Sequence, residues 1–255
     1  MAAASDIYQS TRLATGYAYH RPAVHPHIIA KMRERLQLTT RLRRVLDIGC
    51  GAGLSTAALE PLAEMAVGIE PIATMLAHRA VVSKQAHFVV AKAEQLPFTA
   101  MSFDLMTAAG SLNYADLDRF FPEAVRVLTT SGVLAIYDFS EGKRLRNDRR
   151  LEDWYKAFKQ RYPSPPGYAL AIRELEYSHY GLELYDYEEL EVAVPMTRNS
   201  YLRYALSETS IELAISRGVP EAEIRAWCQH TLSEIFDENP RDVLFDAYIA
   251  YIRRK

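Results

Sequence analysis

Cysteine is nearly absent: Cys50 and Cys228 are the only two among 255 residues. A small secreted domain stapled by disulfides needs several pairs, so these two read as reduced thiols. Neither has partners at a metal-ligand spacing. The seven histidines form no HxxxH or HxxE pair; His25 and His27 only flank Pro26 at a helix start, so no metal site is expected. Excess charge of one sign is missing too, since 30 Lys and Arg against 32 Asp and Glu leave a formal charge of −2. That balance argues against a chain built to coat nucleic acid or an anionic membrane. No window holds about 18 consecutive apolar residues, which excludes a membrane-spanning helix. Met1 to Ser10 shows no basic stretch followed by an apolar run, so no secretory signal is read and a cytoplasmic protein is expected. Repeats and low-complexity tracts are also missing; the nearest is YPSPPGY (162–168), a rigid loop. What remains is an ordinary globular composition, with 49% hydrophobic and 24% charged residues. A chain of this length buries a substantial core without staples.

The first half alternates strand and helix signals. Ile28, Ile29, Met32 and Leu36 line one face of a helix over about 26–38. Val45-Leu46-Asp47-Ile48 is a short apolar run that ends at a glycine cluster, a buried strand followed by a tight turn. A helix over about 54–60 stops at Pro61. Strand 66–69, helix 72–82, strand 87–91, strand 103–108, helix 117–128 and strand 133–137 complete the series. Such alternation predicts a mostly parallel sheet with helices on both faces. After Phe139 it stops. Residues 141–180 read as a mainly helical, aromatic-rich insertion. Strand 188–196, helix 201–217 ending at Gly218, helix 220–236 and strand 243–253 follow, the two strands suggesting an antiparallel hairpin at one sheet edge.

The strongest local motif is VLDIGCGAG (45–53). A glycine turn between strand and helix lets backbone approach a ligand and leaves N–H groups directed at it. In open α/β sheets, ligands bind at the carboxyl ends of the strands. Glu70, 21 residues after Gly49, ends the next strand and suits the two hydroxyls of a ribose. Two kinds of nucleoside cofactor use this arrangement. The dinucleotide pattern GxGxxG would put its third glycine at position 54, where Leu54 stands. Asp47, just before the loop, suits a ligand with a cationic amine and suits a pyrophosphate poorly. This disfavours a nicotinamide dinucleotide, which stays as the rival.

These residues resemble the first motif of the class I S-adenosylmethionine-dependent methyltransferases. GIEP (68–71) resembles their second motif, AEQLPF (93–98) their third-strand motif, and SFDLMTAAGSLNYAD (102–116) their fourth. RVLTTSGVLAIYDF (126–139) resembles the segment leading through the fifth strand. Order and spacing agree over about 17–140, and weakly over 188–253. Within the class, YAYHRP (17–22) is similar to the N-terminal segment of a small-molecule branch that includes ubiquinone-type and trans-aconitate methyltransferases. The resemblance implies a Rossmann-like, seven-stranded, mostly parallel sheet with an antiparallel edge hairpin. It also implies S-adenosylmethionine as cofactor. Asp47 and the backbone of Gly49 and Gly51 would hold its methionine part, and Glu70 its ribose. Ile72 and Met75 would pack on the adenine, with Ala93 and Glu94 near its exocyclic amine. Ala109 would offer backbone to the methionine end, and Tyr17 and Arg21 would reach over the cofactor. Cys50, Gly53 and Pro71 complete the expected cofactor-binding set; the Cys50 side chain faces either the core or the cofactor.

The acceptor side is less defined. Family members often carry His-Trp near the end of the fourth motif, where this chain has Asn113 and Tyr114. Asn113 orients an acceptor but takes no proton. Tyr114, Tyr155 and Tyr168 are candidates to line the acceptor pocket, with Arg198 and Tyr201 on a helix nearby. Against that stands packing, the commoner role of any single aromatic in this region. The Asp/Asn-Pro-Pro-aromatic signature of amide- and base-methylating enzymes is missing from AAGSLNY, so no nucleic-acid partner is expected. KRLRNDRR (143–150) reads as a solvated helix start. The expectation is a single domain over 1–255, with an N-terminal cap over about 1–40 and a helical lid over about 141–187. Its reaction would be methyl transfer to a small-molecule acceptor. The rivals are a nicotinamide-dependent oxidoreductase and a non-catalytic S-adenosylmethionine-binding protein.

Overall fold

In the computed structural model, the described residues are 7–165, 170–237 and 239–255. The strands are β1 (Leu42–Ile48), β2 (Ala63–Glu70), β3 (His87–Val90), β4 (Phe103–Ala109), β5 (Leu128–Phe139), β6 (Arg144–Leu145), β7 (Leu182–Met196) and β8 (Arg241–Arg254). The helices are α1 (Thr11–His20), α2 (His25–Arg35), α3 (Leu54–Leu59), α4 (Arg79–Val82), α5 (Leu117–Val127), α6 (Arg150–Arg161), α7 (Arg198–Leu206), α8 (Thr209–Ser216) and α9 (Glu221–Leu232). They form two compact units. A sheet unit comprises His25–Phe139, Tyr168–Leu190 and Ala247–Lys255, and a helical unit comprises Met1–Val24, Ser140–Gly167 and Glu191–Asp246.

The strands of the sheet unit run in the order β3-β2-β1-β4-β5-β8, with β7 also paired to β8. The first five are parallel, and β8 is antiparallel to β5 from Val133↔Arg253 to Phe139↔Ala247. Alternation along each strand sorts the side chains. Leu46, Ile48, Met106, Ala108, Leu134, Ile136, Ala250 and Ile252 share one core with Phe120, Phe121, Ala124 and Val127 of α5. On the opposite face, α3 packs against α2, and His25 Nδ1 lies 2.9 Å from the Tyr137 hydroxyl. The expected Rossmann-like, mostly parallel sheet with its antiparallel edge is the observed one, with eight strands among the described residues rather than seven, because the short β6 also pairs with β8.

The second half of the expected lid is part of this core. Ile172, Tyr177 and Leu182 are buried in the same cluster as α5. The Phe121 ring meets Tyr177 edge-on at 5.5 Å, and the Tyr177 hydroxyl donates to the Ile172 carbonyl at 2.7 Å. Residues 141–180 are therefore less helical than read, with β6, helix α6 and short 3-10 turns at Ile172–Glu174 and Tyr177–Tyr180. Among the described residues, Trp154, Tyr155, Phe158, Tyr162 and Tyr177 of that segment are buried in packing. Helix 72–82 also shortens, to a 3-10 turn at Ala73–His78 followed by α4, because Glu70 holds the Ile72 N–H and no side chain caps the start.

The helical unit is built around aromatic rings. Trp154 stacks on Phe158 at 5.1 Å and on Trp227 at 5.8 Å, and Tyr201 stacks on Phe236 at 5.2 Å. Helix α1 was not anticipated. Ser10 caps it by accepting the Leu13 N–H at 3.2 Å, a signal present in the sequence. The single helix expected over 201–217 is broken into α7 and α8 at Ser207, whose hydroxyl bonds back to the Tyr204 carbonyl at 2.7 Å. Gly16 of α1 crosses here, and a Cβ on it would stand 2.8 Å from that of Ser207.

Candidate functional site

The glycine turn follows β1 inside the sheet unit. Gly49, Gly51 and Gly53 all have positive φ, at 64°, 55° and 94°. Their surroundings differ. A Cβ on Gly49 would lie 2.5 Å from that of Ser111, and one on Gly53 would strike the Phe88 ring at 2.7 Å. Those two glycines are demanded by the protein's own packing. A Cβ on Gly51 would meet only the Met75 methyl, at 3.7 Å. Gly51 is thus the position where the backbone presents an open surface.

Glu70 ends β2 beside this surface. The Gly51 N–H donates to its Oε2 and the Ile72 N–H to its Oε1, both at 3.0 Å. Each oxygen keeps a further lone pair. Burial pushes this carboxyl above the ordinary glutamate range, against the two N–H donors that pull it down. The result is a carboxylate locked in one orientation before any ligand arrives.

Asp47, which the resemblance places against the methionine part of the cofactor, is held within the protein by three hydroxyls. It is 0% exposed. Oδ2 accepts from the hydroxyls of Ser55 (2.5 Å) and Thr56 (2.7 Å), and Oδ1 accepts from Thr107 at 2.9 Å. Burial raises its pKa while the three hydroxyls lower it. Its carboxylate therefore ties the start of α3 to β1 and β4 and is already satisfied. It supports the glycine turn from beneath. This also bears on the rival ligand. A dinucleotide sets its pyrophosphate against the first turn of the helix after the loop. Here that turn is engaged by an internal carboxylate, and an added diphosphate would meet like charge.

Cys50 is buried, with its sulfur 2.8 Å from where a Cβ on Gly68 would stand. Burial pushes its thiol well up, so it stays neutral and belongs to the core. Met75 is buried beside Gly51, Ile72 is half-buried and Pro71 is exposed. Ala93 and Ala109 are half-buried, and Glu94 accepts the Asp116 N–H at 2.9 Å, tying the loop after β3 to the start of α5. Glu70, Gly51, Ile72 and Met75 are thus brought into one neighbourhood by direct contacts.

The acceptor candidates separate. Asn113 and Tyr114 lie in a 3-10 turn after β4, with Tyr114 60% exposed. Tyr201 is a core residue of the helical unit, 0% exposed, with its hydroxyl donated to the Gly142 carbonyl at 2.7 Å. It is packing rather than pocket. Tyr155 is buried in α6, and its hydroxyl has no hydrogen-bond partner among the described residues. Arg198 opens α7 and is exposed. Tyr168 lies outside the described residues. Tyr17 and Arg21 belong to the helical unit. The Arg21 guanidinium stacks on Tyr17 at 4.0 Å, pairs with Glu208 at 3.3 Å and donates to the Ser207 carbonyl at 3.2 Å. Among the described residues, no group of three or more His, Cys, Asp or Glu side chains is gathered as for a metal ion. No described helix is long and apolar enough to cross a membrane.

A methyltransferase of Mycobacterium tuberculosis is 31% identical over 147 residues, 57% of this chain and 58% of that protein. A ubiquinone/menaquinone biosynthesis C-methyltransferase of Rhizobium etli is 43% identical over 68 residues, 26% of each chain. The chain spans about half the length of the curated relatives it matches. Among solved structures, a candidate type II methyltransferase of Anaeromyxobacter dehalogenans superposes with a TM-score of 0.66 at 20% identity, covering 88% of this chain and 95% of that one. Residues 46–136 match the methyltransferase-domain family. The chain thus carries a methyltransferase domain over residues 46–136, and its sheet shares the fold of that solved structure.

Proposed function

We propose that this protein transfers a methyl group from S-adenosylmethionine to a small-molecule acceptor. The observation that carries the reading is Glu70, a carboxylate held by two backbone N–H groups beside the one glycine of the turn that presents an open surface. In this reading Glu70 accepts both ribose hydroxyls, the backbone at Gly51 carries the methionine part, and Met75 and Ile72 flank the adenine. Asp47 acts indirectly by fixing the turn. The cofactor brings a methyl group on a cationic sulfur, electrophilic before the protein acts. What the chain must add is orientation and exclusion of water, which can lower a barrier by roughly 7–11 kcal/mol. A nucleophilic side chain is not required, consistent with the neutral, buried Cys50.

A thermal-shift comparison tests this. A ligand that binds only the folded state raises the melting temperature by mass action, with a stabilisation of about 2.7 kcal/mol at 100 times Kd. S-adenosylhomocysteine is expected to raise the midpoint by several degrees, and NAD to leave it unchanged. A shift with NAD and none with the adenosyl ligand would reverse the assignment.

Binding should also depend on pH. Glu70 must be ionised for both oxygens to accept, and its pKa is raised by burial above the ordinary 4.5. Affinity for S-adenosylhomocysteine is expected to hold near neutrality and to fall by about tenfold as the pH drops through that raised value. In the ligand-free protein the sign is opposite. The Glu70 contribution to stability is fully present below the unfolded pKa and is lost as pH rises through the folded one. Calorimetric titration over a pH series from 7 downward checks the affinity, with Glu70→Gln as the control whose affinity stays flat.

A further inference from the structure

The carboxyl ends of β1, β2 and β5 each carry an acid: Asp47, Glu70 and Asp138. The first is fully buried and satisfied by three hydroxyls, and the second is 7% exposed and anchored by two N–H groups. Asp138 is exposed, although Leu134 to Tyr137 before it are all buried. Its position is defined on three sides. The Phe139 N–H donates to Oδ1 at 2.8 Å, which orients the carboxylate. Gly110, the residue after β4, has φ +58°, and a Cβ there would lie 2.8 Å from that same oxygen. The Gly110 N–H donates to the Tyr137 carbonyl at 2.9 Å, which brings the end of β4 against β5. Across the antiparallel pair, Asp138 stands directly opposite Tyr248, so the two share a face of the sheet. Tyr248 in turn stacks on Tyr187, with centroids 5.7 Å apart and planes within 18°.

We infer that Asp138 is the acceptor-recognition residue, accepting a hydrogen bond from a hydroxyl or amine of the acceptor. The inference rests on the methyl-transfer reading, in which the cofactor lies over the ends of β1, β2 and β4. The β5 end is the next position along the sheet, so an acceptor approaching the methyl from there meets this carboxylate. The fit is selective. An acceptor that donates a hydrogen bond or carries positive charge is favoured, and one whose reacting group is anionic is repelled. Tyr248, whose phenol is pushed up by burial and by the Asp138 charge, stays neutral beside it. Asn113 was the sequence candidate for orienting the acceptor; Asp138 adds the charge that an amide lacks.

The test uses the full chain and two adenosyl ligands that differ where the methyl would be. S-adenosylhomocysteine has a bare thioether there. Sinefungin carries an amine in place of the methyl, and that amine senses a nearby carboxylate. Asp138→Asn is expected to weaken sinefungin by about tenfold and to change S-adenosylhomocysteine by less than about twofold. Asp138→Glu, which keeps the charge, should stay within about threefold of the wild type for both. A merely structural role would weaken the two ligands together, and that result, or an unchanged sinefungin affinity, overturns the assignment. If the wild-type protein binds neither ligand, the methyl-transfer reading itself falls; if it binds both and Asp138→Asn shifts neither, only the role of Asp138 falls.

Discussion

Replacing Glu70 by alanine is expected to weaken S-adenosylhomocysteine binding by about ten- to a hundredfold. Hydrogen bonds to a charged group contribute roughly 1.5–3 kcal/mol, and 1.4 kcal/mol is about a factor of ten. Two effects add here. The ribose hydroxyls lose their acceptors, and the N–H groups of Gly51 and Ile72 lose the carboxylate that orients them. Glu70→Gln separates the two. The amide keeps one acceptor oxygen but turns a donor toward the other N–H, so an intermediate loss is expected. Calorimetric titration reads both variants, with circular dichroism to establish that they fold. An alanine variant that binds as tightly as the wild type would remove the ribose assignment and with it the main support for an adenosyl ligand.

The second large effect concerns the turn itself. Gly53→Ala is expected to destabilise the fold by about 2–5 kcal/mol. A non-glycine residue in the left-handed region costs roughly 1–2 kcal/mol, and forcing a methyl group into a packed core costs roughly another 1–3. Both apply, because φ is 94° and the new Cβ would lie 2.7 Å from the Phe88 ring. For a chain of this size the melting midpoint should fall by about 5–15 °C. Gly51→Ala provides the contrast. Its φ of 55° carries the conformational cost, but its Cβ meets only a methionine methyl at 3.7 Å. Stability should drop by only about 1–2 kcal/mol, while the added methyl stands on the surface assigned to the cofactor. Loss of affinity in Gly51→Ala with most stability retained, and loss of stability in Gly53→Ala, is the expected pair. Equal destabilisation of the two variants, with affinity in proportion, would mean that the loop has no ligand-facing side.

The glycine turn and Glu70 are legible in the sequence because they are local. Gly49 to Gly53 and Glu70 follow directly on β1 and β2, and a strand that enters a parallel sheet delivers its carboxyl end to one edge wherever its neighbours lie. The roles inside that edge were not readable. The motif alone places Asp47 against the cofactor, and nothing in the sequence shows that its oxygens accept from Ser55, Thr56 and Thr107, the last 60 residues away. The three glycines looked equivalent until Ser111 and Phe88 filled the space beside two of them.

The acceptor side followed the opposite course. Tyr177 belongs to the aromatic-rich insertion, a pattern that suits a cover and a core equally, and Tyr201 is expected on a helix near the acceptor. They sit in the cores of the sheet and helical units, Tyr201 with no exposure. Asp138 stands out little in the sequence as one acid at the end of a strand, because the groups around it come from far along the chain: Gly110, just after β4, and Tyr248 on the antiparallel β8. Hydrophobic periodicity and turn chemistry act between near neighbours, so the order of elements, the parallel sheet and the glycine turn could be read from residues in a row. Which side chain faces a ligand, which is spent on a hydroxyl and which is walled in by a ring depends on contacts that close only when distant segments pack, and no spacing along the chain encodes them.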